Sequence, residues 1–247
     1  MKLFYRVTRI ILLLMVLFGT NNRSLFGQSN FRIFASMSLN SYAMSDLKNL
    51  QSELCSSITS QGIPANILDA YPSFYGFETG FLFPLFPSSD SSLLIGGVYE
   101  YNSTGGRIHY QDYSGEVRAD QIVSTNAFGC MIKYQLSSQN EFHWALFGSC
   151  KYYYSVLHNS LYTRIGTYQT LSEPAFHSSS LGVEIGIAPF YNLWNFHLGV
   201  QLSYLLFFPS SLEYDNYSDA YLENNNGENV RIDWSGFRLG LFIEYPF

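Results

Sequence analysis

From residue 31 onward the chain alternates apolar and polar residues in runs. In 31–40, Phe31, Ile33, Ala35, Met37 and Leu39 fall on one side of an extended segment and Arg32, Ser36, Ser38 and Asn40 on the other. Side chains of a strand point alternately to its two faces, so this period predicts strand rather than helix. The pattern recurs in 74–86, 93–102, 120–136, 141–156, 179–188 and 195–207, and finally from about 230 to the last residue. Val123 and Asn126 interrupt it within 120–136.

The connections carry as much information as the strands. Short links at 87–92, 137–140 and 189–194 alternate with long ones at 41–73, 103–117, 157–178 and 208–229. A strict alternation of short and long connections requires two different surroundings at the two ends of the strands. A closed transmembrane barrel provides them and also leaves no open sheet edge. The expected fold is therefore all-β, a transmembrane antiparallel up-and-down barrel, with both termini on the inner side. Eight strands are expected. Ten are possible if the third long connection, with its "YTRIGTYQTL", adds a membrane-crossing pair, but that segment reads better as an extension outside the membrane. A soluble β-sandwich with the aromatics in its core is the competing reading.

Composition supports the barrel. Only 13% of residues are charged and 18% are aromatic, with 20 Tyr and 21 Phe, whereas soluble chains are about one quarter charged. Tyr99, Tyr101, Tyr152, Tyr153, Tyr154, Phe207 and Phe208 cluster towards segment ends, as aromatic girdles do. The formal charge of −6 leaves no basic footprint for nucleic acid. At the N-terminus, Lys2, Arg6 and Arg9 precede "IILLLMVLF", an apolar run too short to span a bilayer. Residues 1–27 are read as a secretory signal peptide, with an uncleaved anchor as the alternative, and 28–247 as the barrel domain.

The final segment, "FRLGLFIEYPF", places Leu239, Leu241, Ile243, Tyr245 and Phe247 on one face and ends on an aromatic. Here the chain resembles the outer-membrane β-barrel proteins of Gram-negative bacteria, and most closely their small eight-stranded OmpA/OmpX-like class, including the barrel-domain group common in Bacteroidota. The resemblance implies that these five residues form the signal read by the barrel-assembly machinery, with Pro246 a departure from the pattern. It also implies a location in the outer membrane, surrounded by lipid.

The face opposite the apolar one holds Arg32, Lys133, Lys151 and Arg238 as bases and Glu78, Glu100, Glu184 and Glu244 as acids, among many glycines. An eight-stranded barrel has room inside only for side chains, and buried charges must pair. A structural network of these eight charges is expected to plug the lumen, with glycines opposite the long charged side chains. A narrow gated path for small polar solutes or ions is the alternative.

Outside the strands, "SDLKNLQSELCSSI" at 45–58 has Leu47, Leu50, Leu54 and Ile58 at helical spacing, with Ser45 as expected N-cap. It is read as a short helix over the barrel mouth. The second long connection is expected to bend at Gly105–Gly106 and at Ser114–Gly115, and its Arg107, His109, Tyr110, Asp112 and Tyr113 are candidate ligand groups. Glu213, Asp215, Asp219, Glu223 and Glu228 make the fourth rich in oxygen ligands, without the spacing of an EF-hand. Cys55, Cys130 and Cys150 are read as small apolar residues, the last two expected on neighbouring strands but offset in register. His109, His143, His158, His177 and His197 are scattered, and no nucleophile elbow, zinc-ligand run or phosphate loop occurs. Neither enzymatic activity nor a cofactor is expected. The role is read as structural, or as binding an extracellular ligand or partner through the loops.

Overall fold

The computed structural model describes residues 31–87, 91–136, 141–215 and 220–247. The segment expected as signal peptide lies outside the described residues. The elements are β1 (Arg32–Asn40), α1 (Ser45–Ser60), β2 (Asn66–Ala70), β3 (Phe74–Pro87), β4 (Ser91–Gln111), β5 (Gly115–Leu136), β6 (Phe142–Ile165), β7 (Tyr168–Ser172), β8 (Ala175–Leu193), β9 (Phe196–Phe207), β10 (Ser210–Ser211), β11 (Glu213–Tyr214), β12 (Arg231–Ile232) and β13 (Gly236–Pro246).

Eight of these close a ring, in the order β1-β3-β4-β5-β6-β8-β9-β13 and back to β1, with every pairing antiparallel. Closure is made by β1 and β13, from Arg32↔Pro246 to Asn40↔Arg238. Pro246 is the last residue of its strand, where a missing N–H costs the ladder least.

The outer face is apolar. Phe128 is 61% exposed, Ile185 70% and Leu241 68%, exposures that water would penalise and lipid does not. Along β5 the outer row runs Ile122, Ser124, Asn126, Phe128, Cys130, Ile132, Tyr134 and Leu136 without a charge. Asn126, which broke the sequence pattern, accepts a 2.8 Å hydrogen bond from the Tyr99 hydroxyl on the same face. The other exception, Val123, points inward and is fully buried. The three tryptophans occupy three surroundings. Trp144 is half exposed on the outer face of β6, Trp194 stands 90% exposed in the turn after β8, and Trp234 is completely buried.

Several boundaries differ from expectation, mostly because strands continue where loops were predicted. β4, β5 and β6 run well past the ring at its loop end. β2 adds to β4 there, from Asn66↔His109 to Ala70↔Gly106, and β7 adds to β6, from Leu161↔Ser172 to Ile165↔Tyr168. Gly105–Gly106 therefore lie in a paired strand rather than a bend, and the chain reverses only at Asp112–Gly115. β8 continues to Leu193, and β13 starts at Gly236 rather than near 230. The third long connection adds nothing to the ring, because β6 passes directly to β8 at His158↔Ala175.

α1 packs over the loop end as expected, with Leu47 and Ile58 buried and Leu54 against Ile108, Val117 and Ala119. Its cap differs: Ser45 is the first helical residue, and the N-cap is Met44 in left-handed backbone at φ 46°. The sharp turn drops Met44 and Leu47, both fully buried, into the mouth. Burial of two large apolar side chains outweighs the loss of a polar cap. Cys130 and Cys150 are also corrected: they stand directly opposite each other on the outer face, as free thiols.

Candidate functional site

Inward-pointing side chains form layers along the barrel. Nearest the short turns, Arg32, Lys133, Gln135, His197 and Glu244 gather. Arg32 Nη1 lies 2.8 Å and Lys133 Nζ 2.6 Å from the Glu244 carboxylate, and His197 Nδ1 lies 3.1 Å from it. Lys133 also sits over the Phe242 ring at 4.5 Å, a cation–π geometry.

Above them is an apolar layer of Phe34, Leu82, Leu94, Met131, Phe147, Phe190 and Phe242. The expectation of glycines opposite long charged side chains holds around Lys151, which has Gly129 and Gly182 directly opposite on its two neighbouring strands. Others stand instead against aromatic rings: a Cβ on Gly80 would lie 2.7 Å from the Phe34 ring, on Gly186 2.5 Å from Phe147 and on Gly199 2.5 Å from Phe242. Only a residue without a side chain leaves space for a ring at such positions.

The next layer is charged again. Lys151 Nζ lies 2.5 Å from Glu78, 2.5 Å from Glu100 and 2.6 Å from Glu184, while Arg238 Nη1 lies 2.7 Å from Glu100 and 3.4 Å from Glu184. Ser203 donates to Glu184 at 2.5 Å, Asn102 donates to Glu100, and Asn40 donates to Asn102 at 2.7 Å. Register produces this convergence, because Glu78↔Glu100 and Ser149↔Glu184 are cross-strand pairs and Gly129↔Lys151 leaves space beside the lysine. Two glutamates directly opposite on β3 and β4 would repel, and the ammonium between them offsets that repulsion.

A last apolar layer lies at the loop end: Val123, Ala127, Tyr153, Leu157, Leu205 and Phe207 from the barrel strands, with Tyr42, Met44, Leu47, Tyr71, Leu212, Ile232 and Trp234 folded in from the connections. Tyr153 and Phe207, expected among the girdles, belong here. Strict alternation with the exposed Tyr152 and Tyr154 is the signal that places Tyr153 inside. Trp234 Nε1 donates to Ser155 at 2.9 Å, and the Tyr71 hydroxyl donates to Gln121 at 2.8 Å.

The eight sequence-selected charges thus meet, but not as one balanced set. One cluster has three carboxylates and two cations; the other has one carboxylate, two cations and His197. The carboxylates of Glu78, Glu100 and Glu184 lie close enough together to hold a metal ion, yet the Lys151 ammonium already occupies their common centre. Sequence reasoning missed Ser203, Asn40, Asn102, Gln135 and His197 as partners because their roles depend on register.

Of the C-terminal row, Leu239, Leu241 and Ile243 are exposed on the outer face of β13, Tyr245 meets Phe196 at 5.1 Å between ring centres, and Phe247 follows the strand. In the loops, Arg107 pairs with Asp120 at 2.5 Å and His109 with Glu116 at 3.5 Å, while Asp112 accepts from Tyr110 at 2.8 Å. The fourth-connection acids do not converge: Glu213 and Asp215 face His177, Glu228 accepts from Asn224, and Asp219 lies outside the described residues.

No protein-family model matches the chain, and no curated protein matches it. Among solved structures it is similar to a major outer membrane protein from Thermus thermophilus, at 11% identity over 88% of this chain and 99% of that one, with a TM-score of 0.50. It is also similar to OprG from Pseudomonas aeruginosa (12% identity, 88% and 95% covered, TM-score 0.38) and to the outer membrane protease OmpT from Escherichia coli (9%, 89% and 94%, 0.35). At such identities the likeness concerns fold alone, which is that of the small outer-membrane β-barrels.

Proposed function

We propose that the protein is a non-enzymatic outer-membrane barrel whose lumen is plugged by packed and ion-paired side chains, and which acts structurally or by surface interaction through its external loops. The observation that carries this reading is the layering of the interior, two charged layers each bounded by an apolar one. An ion crossing such an interior would have to break ion pairs buried from water and displace rings such as Phe147 and Phe242. The paired extensions of β4, β5 and β6 beyond the ring add support, since they present a surface well clear of the bilayer. Its partners are then membrane lipid, the barrel-assembly machinery during biogenesis, and an extracellular ligand or partner met at the loop end.

The alternative is a narrow channel for small polar solutes or ions, favoured by the buried polar groups that accompany the charges, such as Asn40, Asn102 and Gln201. Planar-bilayer recording on the purified, refolded and inserted protein separates the two. A silent barrel is expected, and steady ion-selective steps would overturn the reading. Arg238→Ala sharpens the result: in a plugged barrel it lowers the melting temperature with no conductance, whereas in a channel it raises conductance.

A further inference from the structure

The outer wall has a gap at Gly148 that the chain leaves unfilled. Two glycines face outward in the apolar band, Gly97 on β4 opposite Phe81 of β3, and Gly148 on β6 between Ile132 of β5 and Ile185 of β8. At Gly97 an added Cβ would lie 2.8 Å from the Phe81 ring, so an aromatic of the neighbouring strand already covers that gap, a known way of stabilising strand glycines. At Gly148 an added Cβ would meet no side chain within reach, and the Glu184 carbonyl oxygen lies 3.6 Å away. The gap widens into a furrow of about 600 Å³. One bank is the register row Ile132, Gly148, Ile185, Tyr204 and Phe237, in which Gly148 is a notch. The other bank is the next outward row, Tyr134, Leu146, Ile187 and Leu202. The floor is the chain between the rows at Phe147, Gly186 and Ser203, all inward positions. The furrow runs from β5 across β6, β8 and β9 to β13, spacings of about 4.8 Å that sum to roughly 19 Å. One leaflet of a bilayer has a hydrocarbon depth of about 15 Å.

We propose that this furrow seats one acyl chain of a membrane phospholipid, in closer and longer-lived contact than the chains elsewhere around the barrel. The furrow is continuous with the apolar outer face, so hydrocarbon is what reaches it. Lipid tails are as apolar as leucine, and selection among them therefore comes from packing. A void against the wall forfeits dispersion contacts, and a flexible chain bedded between the two rows restores them. Among the lining residues there is no cation, so the carboxylate of a free fatty acid has nothing to meet. The Tyr134 and Tyr204 hydroxyls are donors suited to the uncharged ester carbonyls that a phospholipid carries where chain joins headgroup.

The proposal rests on insertion of the barrel in lipid and not on the closed lumen, so bilayer recording and the test of the furrow fail separately. The protein is refolded into phosphatidylcholine vesicles, insertion is checked by protease protection, and phosphatidylcholine bearing a diazirine at varied positions along one acyl chain is photolysed. Mass spectrometry of the adducts should find Leu146, Ile185, Ile187 and Leu202 labelled about threefold above Phe77 and Phe81 on the far wall, since the gain is one of packing contacts. Gly148→Leu and Gly148→Val, which fill the notch from the lipid side, should bring the two walls to parity. Phe81→Ala, which bares Gly97, should raise labelling on the far wall. A diazirine fatty acid should label the furrow no more than the far wall. Even labelling of both walls in the inserted wild-type protein would overturn the proposal. So would an enrichment that survives both folded Gly148 variants, a preference for the fatty acid, or protein–protein adducts across the furrow in place of lipid ones.

Discussion

The two charged layers use the same residue types to different ends. Around Lys151 the carboxylates of Glu78, Glu100 and Glu184 are enclosed between two apolar layers, and the lysine side chain is 0% exposed. Around Glu244 the arrangement is inverted, one acid among Arg32, Lys133 and His197, at the turn end where the Arg32 side chain remains 13% exposed. Charges that have lost water depend wholly on their partners, whereas those near a mouth can recover water when a partner is removed. The difference teaches that the central layer is a keystone of the fold and the terminal one a trim.

Four substitutions or conditions test that contrast. Lys151→Ala should have the largest effect, since it removes the cation that Glu78 meets and leaves Glu100 and Glu184 with Arg238 alone. A loss of about 3–5 kcal/mol, or failure to refold, is expected in denaturant titrations in micelles, and a near-wild-type midpoint would break the comparison. Glu244→Gln retains the shape but removes the charge that holds Lys133 and Arg32. Because this cluster lies at the turn end, where the Arg32 side chain is partly exposed, the expected loss is about 1–2 kcal/mol, read from the same titration. Arg32→Ala should cost less than about 1 kcal/mol, and a loss equal to that of Lys151→Ala would show that the two layers are equivalent.

The smallest effect concerns a charge outside the barrel altogether. The Asp112 carboxyl is held down at about 2 by the Ser114 hydroxyl first, then by Tyr110 and the amides of Ser114 and Gly115. Its folded value lies below the unfolded one of about 3.9, so the stabilisation is complete at neutral pH and is lost as pH falls through about 4 to 2. Amide exchange at Ser114 and Gly115 should accelerate only in that window, while the ring amides stay protected. An Asp112 titration near 4 by NMR would remove the basis for the effect.

Much of this architecture was legible from alternation. Period two placed all eight luminal charges on the inner face and Leu239, Leu241 and Ile243 on the outer one, because one side of each strand had to suit lipid. The same rule applied without exception would have moved Tyr153 and Phe207 inward, where bulk rather than polarity fills the mouth. What alternation could not supply was register. The direct opposition of Cys130 and Cys150, the convergence of three glutamates on one lysine, and the uneven division of charges between two layers all depend on how far neighbouring strands slide. The ends of β4, β5 and β6 were misplaced for another reason. Glycine and serine usually mark turns, but Gly105 and Gly106 are held in a ladder between β2 and β5.

The placement of the three tryptophans gives the chain an optical record of its own assembly. Trp144 stands on the apolar outer face near the turn end of β6, Trp194 is exposed in the turn after β8, and Trp234 is buried among apolar side chains at the loop end. Brominated lipid will quench the first, aqueous iodide the second, and neither the third. Single-tryptophan versions would then time, by fluorescence during refolding into vesicles, when the wall enters lipid, when the turns emerge and when the mouth closes.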